Sequence, residues 1–246
     1  MYIAQTNSTN DWLKLHPETD AVWTSWQTAG RGQAGNSWES EQGKNVLMSL
    51  RLCELNVKAA EQFRLTMAVS LAVRDVVSRY LPEHEVKVKW PNDIYAGDRK
   101  ICGILIEATL AEDRVSEAIV GIGLNVNQTQ WKSNAPNPVS VKQLTQTDMD
   151  LETVYSDLCE AVNRNLTRLT QPEQLKQAYL EALYRFGKTA LYAPREVNLT
   201  PSKVLQTVPQ NAFEAIITDV SEQGELVLLT TNGIQSYHFK QIQFVL

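Results

Sequence analysis

The sequence predicts a mixed helix-and-strand fold that ends in a small β-barrel-like module. Three observations predict it. Segments with apolar residues at three- and four-residue spacing stand between shorter strand-like runs. Two apolar runs, residues 101–110 and 117–127, are joined by a polar connection at 111–114 and read as a strand pair. After Gly187 only short β-type runs remain. A chain of 246 residues allows one large domain, or a medium domain with a small appendage. The change of character at Gly187 divides it into 1–186 and 187–246.

Taken in order, Ser8-Thr9-Asn10-Asp11 precedes Trp12-Leu13-Lys14-Leu15 and offers side chains that cap a helix start. Residues 21–27 have the residue types of a strand. A glycine-rich loop, Thr28-Ala29-Gly30-Arg31-Gly32-Gln33-Ala34-Gly35-Asn36-Ser37-Trp38, leads to a strand at 45–52. Residues 58–81 are the clearest helix: Phe63, Met67, Leu71, Val77 and Leu81 recur at sums of three and four, and Pro82 stops it. Residues 86–90 alternate as a strand that Pro91-Asn92-Asp93 breaks, and Gly97-Asp98 marks a tight turn. Residues 128–140, rich in Asn and Pro, read as a loop. Residues 151–169 and 173–186 are helical by pattern. The tail carries β-type runs at 189–192, 213–220, 226–231 and 234–239. Asn232-Gly233 between the last two is a strong hairpin signal. A tail of about 60 residues is just large enough for a core of its own.

Composition narrows the function. Hydrophobic residues make up 43% and charged residues 21%, as in an ordinary globular protein. The net charge of −5, without a basic run, speaks against a nucleic-acid partner, because phosphate neutralisation dominates such affinity. A small polyanion needs only a few local cations and remains possible. No apolar run approaches the roughly 18–20 residues that cross a bilayer, so no membrane partner is expected. The first residues carry no basic-then-apolar signal, and Cys53, Cys102 and Cys159 have neither metal nor disulfide spacing. A cytoplasmic location is expected.

Four stretches could carry chemistry. In the loop, Gly30, Gly32 and Gly35 permit close backbone approach, and Arg31 sets a forked cation between glycines. Taken alone, a flexible surface turn is the better reading of such a loop. In Lys87-Val88-Lys89-Trp90-Pro91-Asn92-Asp93, alternation sends Lys87 and Lys89 to one side, and Asp93 at a strand end could hold Mg²⁺ or accept a proton. A solvated strand edge is the plain alternative. In Arg99-Lys100-Ile101-Cys102-Gly103-Ile104-Leu105-Ile106-Glu107, Lys100 enters an apolar strand in which Gly103 allows close approach. An exposed turn lysine is the bland reading. In Gly121-Ile122-Gly123-Leu124-Asn125-Val126-Asn127, two glycines leave room on one face, on which Asn125 and Asn127 also lie if the strand stays regular. A bulged core strand explains it equally well. Together the four supply glycine surfaces, cations, an acid and amides, a make-up that suits a small acid and a nucleotide.

Ser8-Thr9-Asn10, Ala29-Gly30-Arg31-Gly32 with Trp38, Lys89 to Asp93, Arg99 to Glu107 and Gly121 to Asn127 occur here in the order seen in biotin protein ligases. The chain resembles that family by motif over roughly residues 5 to 130, and by architecture alone beyond. The resemblance implies an α+β catalytic domain with a mixed sheet, related to class II aminoacyl-tRNA synthetases, over 1–186. It implies a small SH3-like barrel over 187–246. Ser8, Thr9 and Asn10 match the segment that contacts the ureido ring of biotin, with Gln27 in the same pocket. Gly30 to Gly35 matches the loop that closes over biotin and the phosphates, including Gly32 and Gln33, with Trp38 just beyond. Arg31 matches a phosphate-contacting arginine, and Lys100 the lysine that reaches the biotin carboxylate and the α-phosphate. Lys89, Asn92, Gly103, Gly121, Gly123 and Asn125 complete the expected lining.

The implied reaction joins biotin and ATP into biotinyl-5'-AMP and moves biotin to a lysine of a biotin carboxyl carrier protein of the acetyl-CoA carboxylase type. Biotin and ATP are substrates, and Mg²⁺ neutralises the departing phosphates. Arg31, Lys100 and Asp93 are the expected catalytic residues, with Asp93 holding the metal or activating the attacking lysine. The family's bacterial members often carry a second arginine where Gln33 stands. Its bifunctional members carry an N-terminal DNA-binding domain, whereas here the Ser-Thr-Asn motif begins at residue 8. A ligase without that domain, monomeric or homodimeric, is expected. The rival readings are a lipoate or octanoate ligase on the same fold and a non-catalytic biotin sensor.

Overall fold

A computed structural model describes residues 1–132, 137–195 and 208–246. Helix α1 (Thr9–Leu15) opens the fold, its first turn capped by the Ser8 hydroxyl, which accepts from the Asp11 amide. The main sheet holds β1 (Ala21–Thr24), β2 (Val46–Cys53), β3 (Val86–Lys89), β4 (Asp93–Ala96), β5 (Arg99–Ala111) and β6 (Arg114–Leu124), in the order β1-β2-β6-β5-β4-β3. All its ladders are antiparallel. The expected mixed sheet is corrected in this respect: among the described residues parallel pairing is confined to isolated bridges such as Val88 with Leu183. The reason is connection length. β3 to β6 follow one another through short turns, and a parallel neighbour needs a long crossover.

The sheet has two unlike faces, set by the period of two along each strand. Ala118, Val120, Ile122 and Leu124 of β6 join the main core with α2 (Phe63–Tyr80), α4 (Leu151–Leu166) and α5 (Pro172–Ala182). Leu65, Leu71 and Val76 of α2 and Leu158 and Val162 of α4 are fully enclosed there. On the other face Ile119 meets Leu13 of α1 and Val22 of β1 in a second, smaller cluster. That face is otherwise open, and it carries the functional site.

The tail forms β7 (Thr189–Pro194), β8 (Phe213–Val220), β9 (Leu226–Thr230), β10 (Gly233–Tyr237) and β11 (Ile242–Phe244), antiparallel in the order β10-β9-β8-β7-β11. Among the described residues no ladder joins β10 to β11, and the five strands form a sheet that is not closed there; β11 is three residues long and pairs with β7. Tyr192, Ile217, Leu226 and Ile242 belong to the same apolar cluster as α2. The tail therefore packs on the main body.

Several element boundaries differ from the sequence reading. The helix expected at 58–81 starts with a 3-10 turn, Ala59–Glu61, before α2. The helix expected at 173–186 stops at Ala182, because Leu183 turns extended and the Tyr184 amide donates to the Val88 carbonyl at 2.8 Å. Strands β4 and β11 and helix α3 (Val141–Thr145) were not foreseen. α3 begins inside the expected loop at a Ser140–Gln143 capping box. No helix among the described residues is long and apolar enough to cross a membrane.

Candidate active site

Strand register builds the site. Lys89 stands opposite Asp93, Asp93 opposite Gly103, Gly103 opposite Gly123, and Gly123 opposite Leu47, a row across five strands. The next row on the same face holds Leu105, Gly121 and Ser49, and the next Glu107, Ile119 and Arg51. Motifs separated in sequence thus become neighbours at the 4.5–5.5 Å spacing of cross-strand pairs. Above these rows lies a cleft of about 140 Å³.

One end of the cleft is formed by α1. Its first turn places Thr9 and Asn10, both buried, against the sheet. Gln27 Oε1 accepts from the Thr9 amide at 2.7 Å and from its hydroxyl at 3.1 Å. Ser49 donates to Asn10 Oδ1 at 2.6 Å and lies 2.7 Å from Thr9 Oγ1. Asn10 Nδ2 donates to Glu107 at 2.8 Å. Gly121 makes this possible, since a Cβ there would collide with Asn10 Oδ1. At the far end of α1, Arg51 donates to the Leu13 carbonyl and pairs with Glu117, fixing the helix to β2 and β6.

The glycine loop folds back on itself. The Trp38 amide donates to the Gly30 carbonyl at 2.8 Å and the Gly32 amide to the Asn36 carbonyl at 2.6 Å. A Cβ on Gly30 would stand 2.6 Å from the Trp38 carbonyl, so only glycine closes the hairpin this tightly. The turn lays the Trp38 indole over two strand glycines: a Cβ on Gly103 or on Gly123 would stand 2.7 Å from the ring. Trp38 Nε1 and Gln33 Oε1 are shielded from solvent and find no partner among the described residues. Arg31 reaches the opposite way. Its guanidinium donates to Glu107 at 2.8 and 3.2 Å and lies 2.7 Å from Asp11. Partial burial opposes its charge, but these two carboxylates outweigh that and raise its pKa.

At the other end Lys100 Nζ sits 2.6 Å from Asp93 Oδ1 and 5.3 Å from the Trp38 ring centre. Lys89 lies over the rings of Tyr95, at 5.4 Å, and Phe244, at 4.6 Å. Burial pushes its ammonium down to about 8, with Asp93 opposing and Lys100 and Arg185 adding to the fall. Trp90, joined to Pro91 by a cis bond, donates from Nε1 to the Gly224 carbonyl at 3.0 Å and meets Phe239 edge-on. The tail thereby reaches the cleft, with Phe239 in its lining.

The structure brings most of the expected residues together. Ser8, Thr9, Asn10, Gln27, Arg31, Gly32, Gln33, Trp38, Lys89, Asn92, Asp93, Lys100, Gly103, Gly121 and Gly123 all border the one cleft. Gly30 supports it from behind, and Gly35, at φ +87°, serves the loop turn. Asn125 is not among the residues that line the cleft. β6 ends at Leu124, so alternation stops and the buried Asn125 amide donates to the Val139 carbonyl at 3.0 Å. Lys87 likewise turns away and donates to the Glu181 carbonyl. Ser49, Leu105 and Phe239 were missed. The first two depend on register and the last on docking of the tail, and none has a local signal.

Among the described residues no group of three or more His, Cys, Asp or Glu side chains could hold a metal. Asp93 offers a single carboxylate with one oxygen already on Lys100. Such a donor set fits an ion that arrives on phosphate oxygens, as Mg²⁺ commonly does, and not a resident metal.

Solved structures with this architecture exist. The biotin protein ligase of Aquifex aeolicus in complex with biotin and ATP superposes with a TM-score of 0.76 at 23% identity, covering 99% of this chain and 97% of that one. The Leishmania major biotin protein ligase in complex with biotin superposes at 0.61 and 21% identity, covering 96% and 97%. The fold is that of the biotin protein ligases. A family model described as the biotin/lipoate A/B protein ligase family matches residues 2–125. The biotin–[acetyl-CoA-carboxylase] ligase of Mycobacterium tuberculosis is 34% identical over 236 residues, covering 92% of this chain and 81% of that protein. The chain belongs to the biotin/lipoate A/B protein ligase family. The bifunctional ligase/repressor BirA of Bacillus subtilis is 39% identical over 234 residues. The match spans 66% of that protein's length, and the match to its Escherichia coli counterpart spans 36%.

Proposed function

We propose that this chain is an ATP-dependent biotin protein ligase that forms biotinyl-5'-AMP and passes biotin to a lysine of a biotin carboxyl carrier domain of the acetyl-CoA carboxylase type. One observation carries the reading. A cleft on one sheet face has a hydrogen-bonded polar pocket at one end and two ammonium groups beside a carboxylate at the other. The first end suits the ureido ring of biotin, with Thr9, Asn10 and Gln27 as its contacts. The second suits the biotin carboxylate and the α-phosphate.

In the first step a carboxylate oxygen of biotin attacks the α-phosphorus of ATP, and the bond to the bridging oxygen of pyrophosphate breaks. Two anions must meet, so positioned cations lower the barrier. Lys100 is the central one, held by Asp93 at 2.6 Å. Lys89 is a second, and Arg31 a third once phosphate competes for it with Glu107 and Asp11. Bound Mg²⁺ would neutralise the departing phosphates, and Asp93 is the carboxylate in the cleft able to reach it. Trp38 and the loop cover the cleft and exclude water from the anhydride. In the second step the neutral carrier amine attacks the acyl carbon, AMP leaves with the bond electrons, and the amine proton passes to a base. Asp93 is the base we assign.

We also read residues 1–186 as the catalytic domain, of class II aminoacyl-tRNA synthetase type, and 187–246 as an SH3-like module. A cytoplasmic location agrees with this reading, since ATP is supplied there and the three cysteines stay reduced. Incubation with biotin, ATP, Mg²⁺ and a biotin carrier domain should raise the carrier's mass by one biotinyl group. An unchanged carrier mass would sink the reading. A lipoate ligase is the alternative outcome, and calorimetric titration with both acids separates them. The dithiolane ring of lipoate has nothing to satisfy Thr9, Asn10 and Gln27, so biotin should bind far more tightly.

A further inference from the structure

Glu107 lies one row beyond the cleft lining, on the same face of β5 as Gly103 and Leu105. Its carboxylate collects four donors. Asn10 Nδ2 and Arg31 reach Oε2, each at 2.8 Å, while Lys14 at 2.8 Å and the other arm of Arg31 at 3.2 Å reach Oε1. Partial burial pushes its pKa up, but Lys14, Asn10 and Arg31 outweigh this and hold it below the usual carboxylate range. An ionised carboxylate accepts and cannot donate. The Asn10 amide must therefore turn its nitrogen to Glu107, and its oxygen faces the Ser49 hydroxyl at 2.6 Å. Both ends of a buried amide are then fixed, and Nδ2, on a side chain that borders the cleft, keeps a second N–H for which the described residues supply no acceptor.

We infer that Glu107 is a positioning residue that sets the direction of the Asn10 amide, and so makes this end of the cleft selective for an acid whose ring presents a carbonyl oxygen. Arg31 and Lys14 hold Glu107 in place, and Asp11 shares Arg31 with it at 2.7 Å. The inference rests on the ligase reading of the cleft. Glu107→Gln keeps the shape but puts an N–H₂ where an acceptor is needed. Its single remaining acceptor oxygen is drawn to the charged donors of Arg31 and Lys14, so the N–H₂ faces Asn10, whose amide reverses and takes its oxygen away from Ser49.

The test uses the full chain, calorimetry, and two probes: biotin, and 2-iminobiotin, which carries C=NH in place of the ureido C=O. In Glu107→Gln the affinity for biotin should fall about 30-fold, a loss typical of an unpaired buried polar group. That for 2-iminobiotin should fall less, so that their ratio shrinks about tenfold. Binding of ATP alone should change less than about threefold. Glu107→Asp keeps an ionised partner for Arg31 and Lys14 with a shorter reach, and should shift the ratio in the same direction by less. Equal losses for both acids, or an unchanged ratio in both variants, would overturn the inference. Failure of the unsubstituted chain to bind biotin would instead overturn the ligase reading.

Discussion

At the α1 end of the cleft Gln27, Thr9, Ser49, Asn10 and Glu107 follow one another in a chain of polar contacts. At the β3–β4 end Lys89 rests on Tyr95 and Phe244 and Lys100 on Asp93 beside Trp38, and under the glycine loop the polar atoms Trp38 Nε1 and Gln33 Oε1 have no partner among the described residues. The first end is organised before any ligand arrives, so binding there costs little rearrangement. The second leaves buried polar atoms that a ligand would satisfy, and such atoms are rare without reason. A neutral ring is best met by fixed dipoles. A phosphate whose charge grows during reaction is better met by cations that can turn towards it.

The sharpest break in this comparison is Lys100→Ala. It removes an ammonium from the centre of the charged end and leaves Asp93 without its partner. Biotin-dependent ATP–pyrophosphate exchange should fall about 100-fold or more, while calorimetry should find biotin affinity within about fivefold. Equal losses in both would merge the two ends. Two strand glycines sharpen the contrast further. Gly121→Ala presses on Asn10 and should raise the KM for biotin about 50-fold with little effect on ATP. Gly123→Ala presses on the indole of Trp38 and should raise the KM for ATP about tenfold with little effect on biotin. These residues stand two apart on one strand, so a common effect on both substrates would contradict the division.

Lys89 gives the division a pH signature. Its ammonium is lowered from 10.5 to about 8 by burial, so above about pH 8 the free enzyme loses a cation from the charged end. The kcat/KM for ATP in the first half-reaction should decline through that pH, and Lys89→Gln should remove the decline. For stability the sign is opposite. Folding disfavours the protonated lysine, a cost present in full below about 8 and relieved as pH rises from there towards 10.5. Phe239→Ala carries the smallest expectation. It trims the tail's contribution to the lining and should raise the KM for ATP about threefold. A larger effect on biotin would move the tail to the other end of the cleft.

How much of this was legible beforehand differs between elements. Helix α2, the β5–β6 pair and the Ser8 cap were readable because their signals are local: apolar period, a polar connection, a capping side chain. β4 was not, since four residues between a proline and a glycine turn have too little pattern, and the pairing with β3 and β5 creates it. The C-terminal limit of α5 was misplaced for a similar reason: the Val88 carbonyl draws the chain out of the helix. Asn125 lies just beyond the end of β6, where strand alternation no longer tells on which side a residue stands.

The sequence by itself determined which chemical groups are available: a glycine loop with Arg31 and Trp38, a strand with Lys89 and Asp93, Lys100 at a strand entry, and glycines where bulk would obstruct. Tertiary structure alone decided their company. Strand register set Lys89, Asp93, Gly103 and Gly123 in one row and brought Ser49 to Asn10. Chain folding turned Arg31 onto Glu107 and carried Phe239 from the tail to the cleft. Local signals are written in neighbouring residues, whereas contacts between strands distant in sequence depend on how each strand slides against the next.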